Sequence, residues 1–222
     1  MNMKVDRKEL LIDAIVIILL SLIKGAFVTI DEELSFFALF RSYYIRYGDI
    51  SQFNIIWLAP LLVTIFFITK STYLKLMNFN IRYHNRKISF IKIVQHLLLR
   101  TIIYGLLSII LPLPVLLDKV NFVVELNIDI FLFVLKYIIE LLAISTIILL
   151  FAFLIRNYTY CFSIVLVIII FLLTKFKVSY LPFITLYVSD EINIFSIMLI
   201  ILNVGTLFYS YLKRDVLKGV TK

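Results

Sequence analysis

Lys136 and Glu140 stand four residues apart inside a long apolar run, residues 128–155. At that spacing two side chains share one face of a helix. A charge alone in hydrocarbon is expensive, and such residues face a bundle interior or a water-filled cavity. Two kinds of chemistry fit: an ion pair that neutralises itself, or a polar patch beside a path for cargo. The spacing is compatible with both.

The other residues able to do chemistry are sparse. His84 and His96 are twelve residues apart, with no H-E-x-x-H around either, and read as interfacial or docking histidines rather than metal ligands. The acidic run Asp31–Glu33 has no second cluster to complete a cation site and reads as solvated or capping. Asn157, Tyr158 and Thr159 match a glycosylation triplet but fall in a tight turn expected on the cytoplasmic side. Cys161 is the only cysteine, which excludes an intrachain disulfide. The five glycines (25, 48, 105, 205 and 219) are scattered, and no phosphate-cradling G-x-x-x-x-G-K-[ST] occurs. The chain is therefore not itself a P-loop ATPase. No polar catalytic constellation is found, so it reads as a non-enzyme with no cofactor or metal of its own.

The elements that position these residues follow from composition. The chain of 222 residues is 63% hydrophobic and 16% charged, with a mean hydropathy of +1.06; an ordinary soluble domain carries about 25% charge. In lipid a backbone must satisfy its own hydrogen bonds, leaving helices or a closed barrel. Continuous rather than alternating apolar runs select helices. The fold class expected is an all-α, polytopic membrane protein. It forms one transmembrane domain over 1–222, with six spans at about 10–30, 54–69, 97–117, 128–155, 158–174 and 192–212. The first run continues to about Ile30 without a small-residue cleavage site, so it reads as an uncleaved span. Pro112 and Pro114 end the third span, and the segment 175–191, with Tyr180, Pro182, Phe183 and Tyr187, reads as a broken interfacial element.

The formal net charge of +8 lies in short segments flanking these runs, which points to membrane rather than nucleic acid. Lys4, Arg7 and Lys8, then six basic residues from Lys70 to Lys92, then Arg156, then Lys213, Arg214, Lys218 and Lys222 fall on one side. Asp31–Glu33, Asp49, Asp118, Glu125, Asp129, Asp190 and Glu191 fall on the other. Positive residues favour the cytoplasm, so both termini are expected inside. Lys24 and Arg100 are expected to snorkel toward the two surfaces.

The segment 70–96 is too long for a simple turn. Its apolar residues, among them Ile88, Ile91 and Val94 at helical spacing, interleave with charge. It reads as two short amphipathic helices broken near "YHNRK", the second merging into the third span. Such a segment could lie on anionic lipid, at about 1 kcal/mol per basic residue near the surface, or dock a cytosolic partner. Arg82 and Arg86, four apart, would point the same way in a helix.

The stretch "IRYHNRKISFIKIVQHLLLRTIIYGLLSIIL" (81–111) resembles the corresponding segment of type-2 ATP-binding-cassette exporter permeases. In that family a basic-aromatic cluster and an amphipathic run lead into the third span. Arg82, Tyr83, Asn85, Arg86 and Lys87 fit the cluster, while His84 stands where a small residue is common. The six-span layout with its basic second loop fits as well. The resemblance implies a dimer of permeases, homomeric or heteromeric, joined to cytosolic ATPase subunits that hold ATP and Mg. The docking residues it implies are Arg82, Tyr83, Asn85, Arg86, Lys87, Ile88 and Ile91. The size and the Ile/Phe/Lys/Asn-rich composition are similar to those of small permeases of Gram-positive bacteria. Those permeases export amphipathic peptide toxins, such as phenol-soluble modulins, or confer bacteriocin immunity, as lantibiotic immunity transporters do. A non-transporting membrane protein that sequesters such peptides is the alternative.

Overall fold

In the computed structural model of the protein, residues 7–27, 55–82, 86–110, 128–175 and 193–213 are described. They form helices throughout: α1 (Arg7–Phe27), α2 (Ile55–Arg82), α3 (Arg86–Ile110), α4 (Ile128–Ile155), α5 (Tyr158–Lys175) and α6 (Ile194–Lys213). Four helical stretches are long and apolar enough to cross a membrane, namely Pro60–Asn78, Arg86–Ile110, Ile130–Ile155 and Ile194–Lys213. Leu11–Ile23 and Tyr158–Ile168 are shorter apolar helical stretches. The chain is a helical membrane protein.

One boundary differs from the sequence expectation. The second apolar run does not stop near residue 69; α2 continues unbroken to Arg82. Nothing between 70 and 82 breaks a helix, since that stretch has neither Gly nor Pro. Two Thr hydroxyls turn back onto the helix: Thr69 Oγ1 donates to the Ile65 carbonyl and Thr72 Oγ1 to that of Ile68, each at 2.7 Å. Pro60 lies inside α2, where Thr64 Oγ1 bonds to the Pro60 carbonyl at 2.7 Å. The second half of the expectation holds. A new helix begins at Arg86 and runs without interruption into the third apolar run, to Ile110.

Two asparagines start helices. Asn157 Oδ1 accepts from the Tyr160 amide at 3.1 Å, and Asn193 Oδ1 from the Phe195 amide at 3.0 Å. The α4–α5 turn is closed by Arg156 in the left-handed region (φ 62°), a conformation glycine usually supplies after a helix. Its amide still donates to the Ala152 carbonyl at 2.9 Å.

α4 packs against α2, α3, α5 and α6, and α1 packs against α2 and α3. Buried Ala143 and Ala152 thin α4, as helices that meet closely in lipid require. Three contacts in order, Glu140–Ser196, Thr146–Asn203 and Phe153–Tyr211, show that α4 and α6 run parallel. Gly105 of α3 meets α4 so closely that an added Cβ would stand 3.3 Å from Leu141 Cδ1. Phe66, Tyr73, Tyr158 and Phe162 join α2 to α5 through ring contacts. Thr69 Oγ1 lies 2.7 Å from the Tyr158 hydroxyl in the same contact.

Candidate functional site

The polar interior is organised on one face of α3. His96, Arg100 and Tyr104 recur every four residues, so a helix stacks them along a single stripe. All three are buried. Arg100 Nη1 donates to Asp13 Oδ2 of α1 at 3.3 Å, and the Tyr104 hydroxyl donates to the same oxygen at 2.7 Å. The guanidinium also lies 5.5 Å from the centre of the Tyr104 ring. A carboxylate that takes both donors is far less costly to bury than either charge alone.

This corrects the expectation that Arg100 snorkels. Only 2% of the residue is exposed. The physical reason is where the helix begins. Because α3 runs unbroken from Arg86, Arg100 lies about 21 Å along it at about 1.5 Å per residue, and its side chain turns to Asp13 of α1 rather than toward a surface. Asp13 escaped notice in the sequence. The signal was available: one acid in the first apolar run and one arginine in the third each need a partner, and each can supply the other.

One turn away, His96 faces α2. Lys75 Nζ lies 3.1 Å from His96 Nδ1 and Ser71 Oγ lies 3.4 Å from Nε2. An ammonium can only donate, so Nδ1 accepts, the ring proton sits on Nε2, and Ser71 accepts it. His96 is thus an inward-facing bridge between α2 and α3 rather than a surface histidine. His84 lies outside the described residues. Among the described residues no group of three or more His, Cys, Asp or Glu could hold a metal ion.

Lys136 and Glu140 are both buried within the bundle, on α4. Glu140 Oε1 accepts from Ser196 Oγ in the first turn of α6 at 2.8 Å. Beside them, Ser108 of α3 and Tyr137 are hydrogen-bonded through their hydroxyls at 3.1 Å. Farther along, Asn203 Nδ2 donates to Thr146 Oγ1 at 3.4 Å. The α3, α4 and α6 helices are therefore joined by polar contacts to which Glu140 contributes, with Lys136 buried one turn before it on α4.

The residues expected to dock a partner divide in two. Tyr83 and Asn85 lie outside the described residues, and of Arg82 only its place at the end of α2 is described. Arg86 Nη1 donates to the Leu212 carbonyl at 2.9 Å, so it caps the C-terminal end of α6, where a helix dipole favours a cation. Ser89, Phe90 and Ile93 turn inward, and Phe90 packs 5.6 Å from Tyr211 and 5.0 Å from Phe208. The Tyr211 hydroxyl donates to Ser89 Oγ at 3.1 Å. Lys87, Ile88 and Ile91 turn outward, the two isoleucines 50% and 55% exposed. The outward face and Glu140 are about 24 Å apart along α6, taking about 1.5 Å per residue between Ser196 and Leu212.

No family model, curated protein or solved structure matches the chain.

Proposed function

We propose that this chain is the transmembrane subunit of an ATP-driven exporter, moving amphipathic peptides of the toxin or bacteriocin kind out of a bacterial cell. In this reading all six apolar segments cross the cell membrane with both termini in the cytoplasm. The chain pairs with a second permease, the same or different, and two cytosolic ATPase subunits supply ATP, Mg and hydrolysis.

The observation that carries the reading is the first turn and a half of α3. An outward face of Lys87, Ile88 and Ile91 stands on a helix whose opposite face is locked into α6 through Phe90, Ser89 and Arg86. Force applied to that face would act on a rigid lever, because α3 continues to Ile110 without a break. The same helix carries His96, Arg100 and Tyr104 to α2 and α1, so its displacement would move both. The polar seam around Lys136 and Glu140 offers the cargo charged and hydroxyl groups in an otherwise apolar interior.

The test is to purify the full chain from its own host together with whatever ATPase accompanies it. ATP hydrolysis by that complex is then measured with amphipathic helical peptides in the bilayer. Peptide-stimulated hydrolysis is the expected result. Peptide binding without an associated ATPase would replace the exporter with a membrane protein that sequesters toxins.

A further inference from the structure

We propose that the outward faces of α2 and α3 form a flank that binds phospholipid headgroups up to the height of Lys70, while acyl chains cover α4 and α6 at that same height. The inference stands whether or not the chain is an exporter.

Contacts between the helices set a common height scale. Arg86 meets the Leu212 carbonyl, and Phe90 and Phe153 both meet Tyr211, so α3 begins level with the ends of α4 and α6. Farther along α3, His96 meets Ser71 and Lys75 of α2. His96 is about 15 Å from Arg86 at about 1.5 Å per residue, half of a hydrocarbon core of about 30 Å. Lys70, next to Ser71, stands at that height.

What the bundle shows to its surroundings differs around this height. On α4 and α6 exposed apolar residues run to the helix ends: Phe151, Leu154 and Ile155 on α4, and Leu202 on α6. α6 closes with exposed Tyr209, its ring 4.4 Å from the Lys213 ammonium, an aromatic–basic pair suited to a membrane interface. Acyl chains therefore reach the helix ends on that side. On α2, Lys70, Leu74 and Asn78 are exposed and recur every four residues along one face. On α3, Lys87 and Gln95 are exposed among Ile88 and Ile91, a mixed face suited to the boundary between headgroups and acyl chains. Acyl chains against Lys70 would put an ammonium in hydrocarbon, where such residues face a protein interior or water instead. Snorkelling does not carry it out, because the ammonium lies 5.1 Å from the centre of the Phe66 ring, one turn farther from the Arg86 end. Residues 55–82 and 86–110 hold seven basic residues and no Asp or Glu, so the complement of this flank is anionic. Phospholipid phosphates carry that charge at the membrane surface. A second copy offering the same face would set cation against cation.

The test uses the full chain with Cys161→Ser, in nanodiscs of phosphatidylcholine and phosphatidylglycerol. One nitroxide at a time is placed at Leu74→Cys, Gln95→Cys, Phe151→Cys or Leu202→Cys, all exposed positions. Phe151 is close in sequence to Phe153 at the Arg86 end and Leu202 lies deeper along α6, so these two bracket the height of His96. Power-saturation spectra read collisions with oxygen, with a water-soluble nickel chelate and with nickel held on a lipid headgroup. Both forms of nickel should outweigh oxygen at Leu74→Cys and Gln95→Cys, and oxygen should outweigh both at Phe151→Cys and Leu202→Cys. Nickel-to-oxygen ratios at Leu74→Cys and Gln95→Cys that fall between those of the other two would overturn the flank, because depth alone would then order all four labels. Collision with soluble nickel but not with headgroup nickel would overturn it too, by showing an aqueous cavity that lipid does not enter. Protection from all three reagents would do the same, since a protein partner would then cover the face.

Discussion

Lys75 Nζ and His96 Nδ1 lie 3.1 Å apart across the α2–α3 contact, an ammonium donating to an imidazole. The direction of that bond fixes the rest of the local network, since the ring proton must then be on Nε2, toward Ser71. Nitrogen-15 spectra of histidine-labelled protein in nanodiscs should show His96 as the Nε2–H tautomer. His96→Gln, which retains an acceptor, should be tolerated better than His96→Leu. The coupling between Lys75→Met and His96→Leu in a double-mutant cycle should be about 0.5–3 kcal/mol. Strict additivity would show that the two side chains do not interact.

Glu140 supports a second prediction, since its carboxylate is wholly buried and bonded to Ser196. Glu140→Gln leaves Lys136 buried beside a neutral amide, whereas Lys136→Gln/Glu140→Gln removes both charges. The single change should therefore lower folded yield and thermal stability more than the double change. Ser196→Ala deletes one hydrogen bond to a carboxylate and should cost about 0.6–2 kcal/mol, the range for interhelical bonds in membranes. Equal losses from Glu140→Gln and the double variant would mean that the two charges are independent.

How much of this was legible in the sequence depends on whether a residue announces its own partner. The apolar runs did, because lipid leaves the backbone one local solution, and helices cover the described part of every run. The merging of the amphipathic stretch into the third run was also readable from periodicity, while the expected break near "YHNRK" falls largely outside the described residues. The extension of α2 to Arg82 was not. A helix may cross from an apolar to a basic stretch without changing its hydrogen bonding, so charge marks no helix end. Arg100 illustrates a second limit. Its depth depends on where α3 starts, and its pairing depends on how α1 packs, which is tertiary information. Asp13 fell between these cases, since a solitary acid in an apolar run demands a partner that only the fold can name. Arg82 and Arg86 would point the same way if they shared a helix, yet they belong to two elements, α2 and α3, and Arg86 turns to α6.

Gly105 in α3 and Gly205 in α6 should differ in how large a side chain they tolerate. A Cβ on Gly105 would meet Leu141 Cδ1 at 3.3 Å and Ile138 Cγ1 at 3.4 Å, whereas one on Gly205 meets nothing within 4 Å. Gly205→Ala should be neutral or stabilising by up to about 1 kcal/mol from helix propensity. Gly105→Ala should be close to neutral, its propensity gain offset by the tight contact. Gly105→Val should destabilise by about 1–3 kcal/mol through overpacking of the α3–α4 contact. Unfolding in mixed detergent measures all three, and a harmless Gly105→Val would mean that α3 and α4 do not approach this closely.

The alternation of basic and acidic segments predicts the orientation in the membrane. With Cys161 replaced, membrane-impermeant thiol reagents applied to intact cells should modify Glu33→Cys and Ser189→Cys. They should modify Asn85→Cys and Lys218→Cys only after the cells are opened. Labelling of Asn85→Cys in intact cells would invert the topology and put the proposed docking face on the wrong side of the membrane.

The last prediction separates the two roles within the start of α3. Arg86 holds the end of α6, so Arg86→Ala should loosen that contact and lower stability whether or not a partner exists. Removing its guanidinium takes a cation from a helix C-terminus, an effect of about 0.3–2 kcal/mol. Ile88 and Ile91 touch the outside, so Ile88→Ser/Ile91→Ser should leave insertion, yield and thermal stability close to those of the parent. If the outward face docks an ATPase, the isoleucine variant should nevertheless lose co-purification of that subunit and peptide-stimulated hydrolysis. Lys87→Glu should weaken both and make the remaining association more sensitive to salt, because an exposed charge acts within a Debye length of about 8 Å at physiological ionic strength. A face that only rests on lipid gives a different pattern. Ile88→Ser/Ile91→Ser would then shift how deeply α3 sits, read by quenching of a fluorophore at Gln95→Cys, while the ATPase stayed bound at full activity. That second pattern would remove the docking face from the mechanism and leave Arg86 as a fastening between α3 and α6.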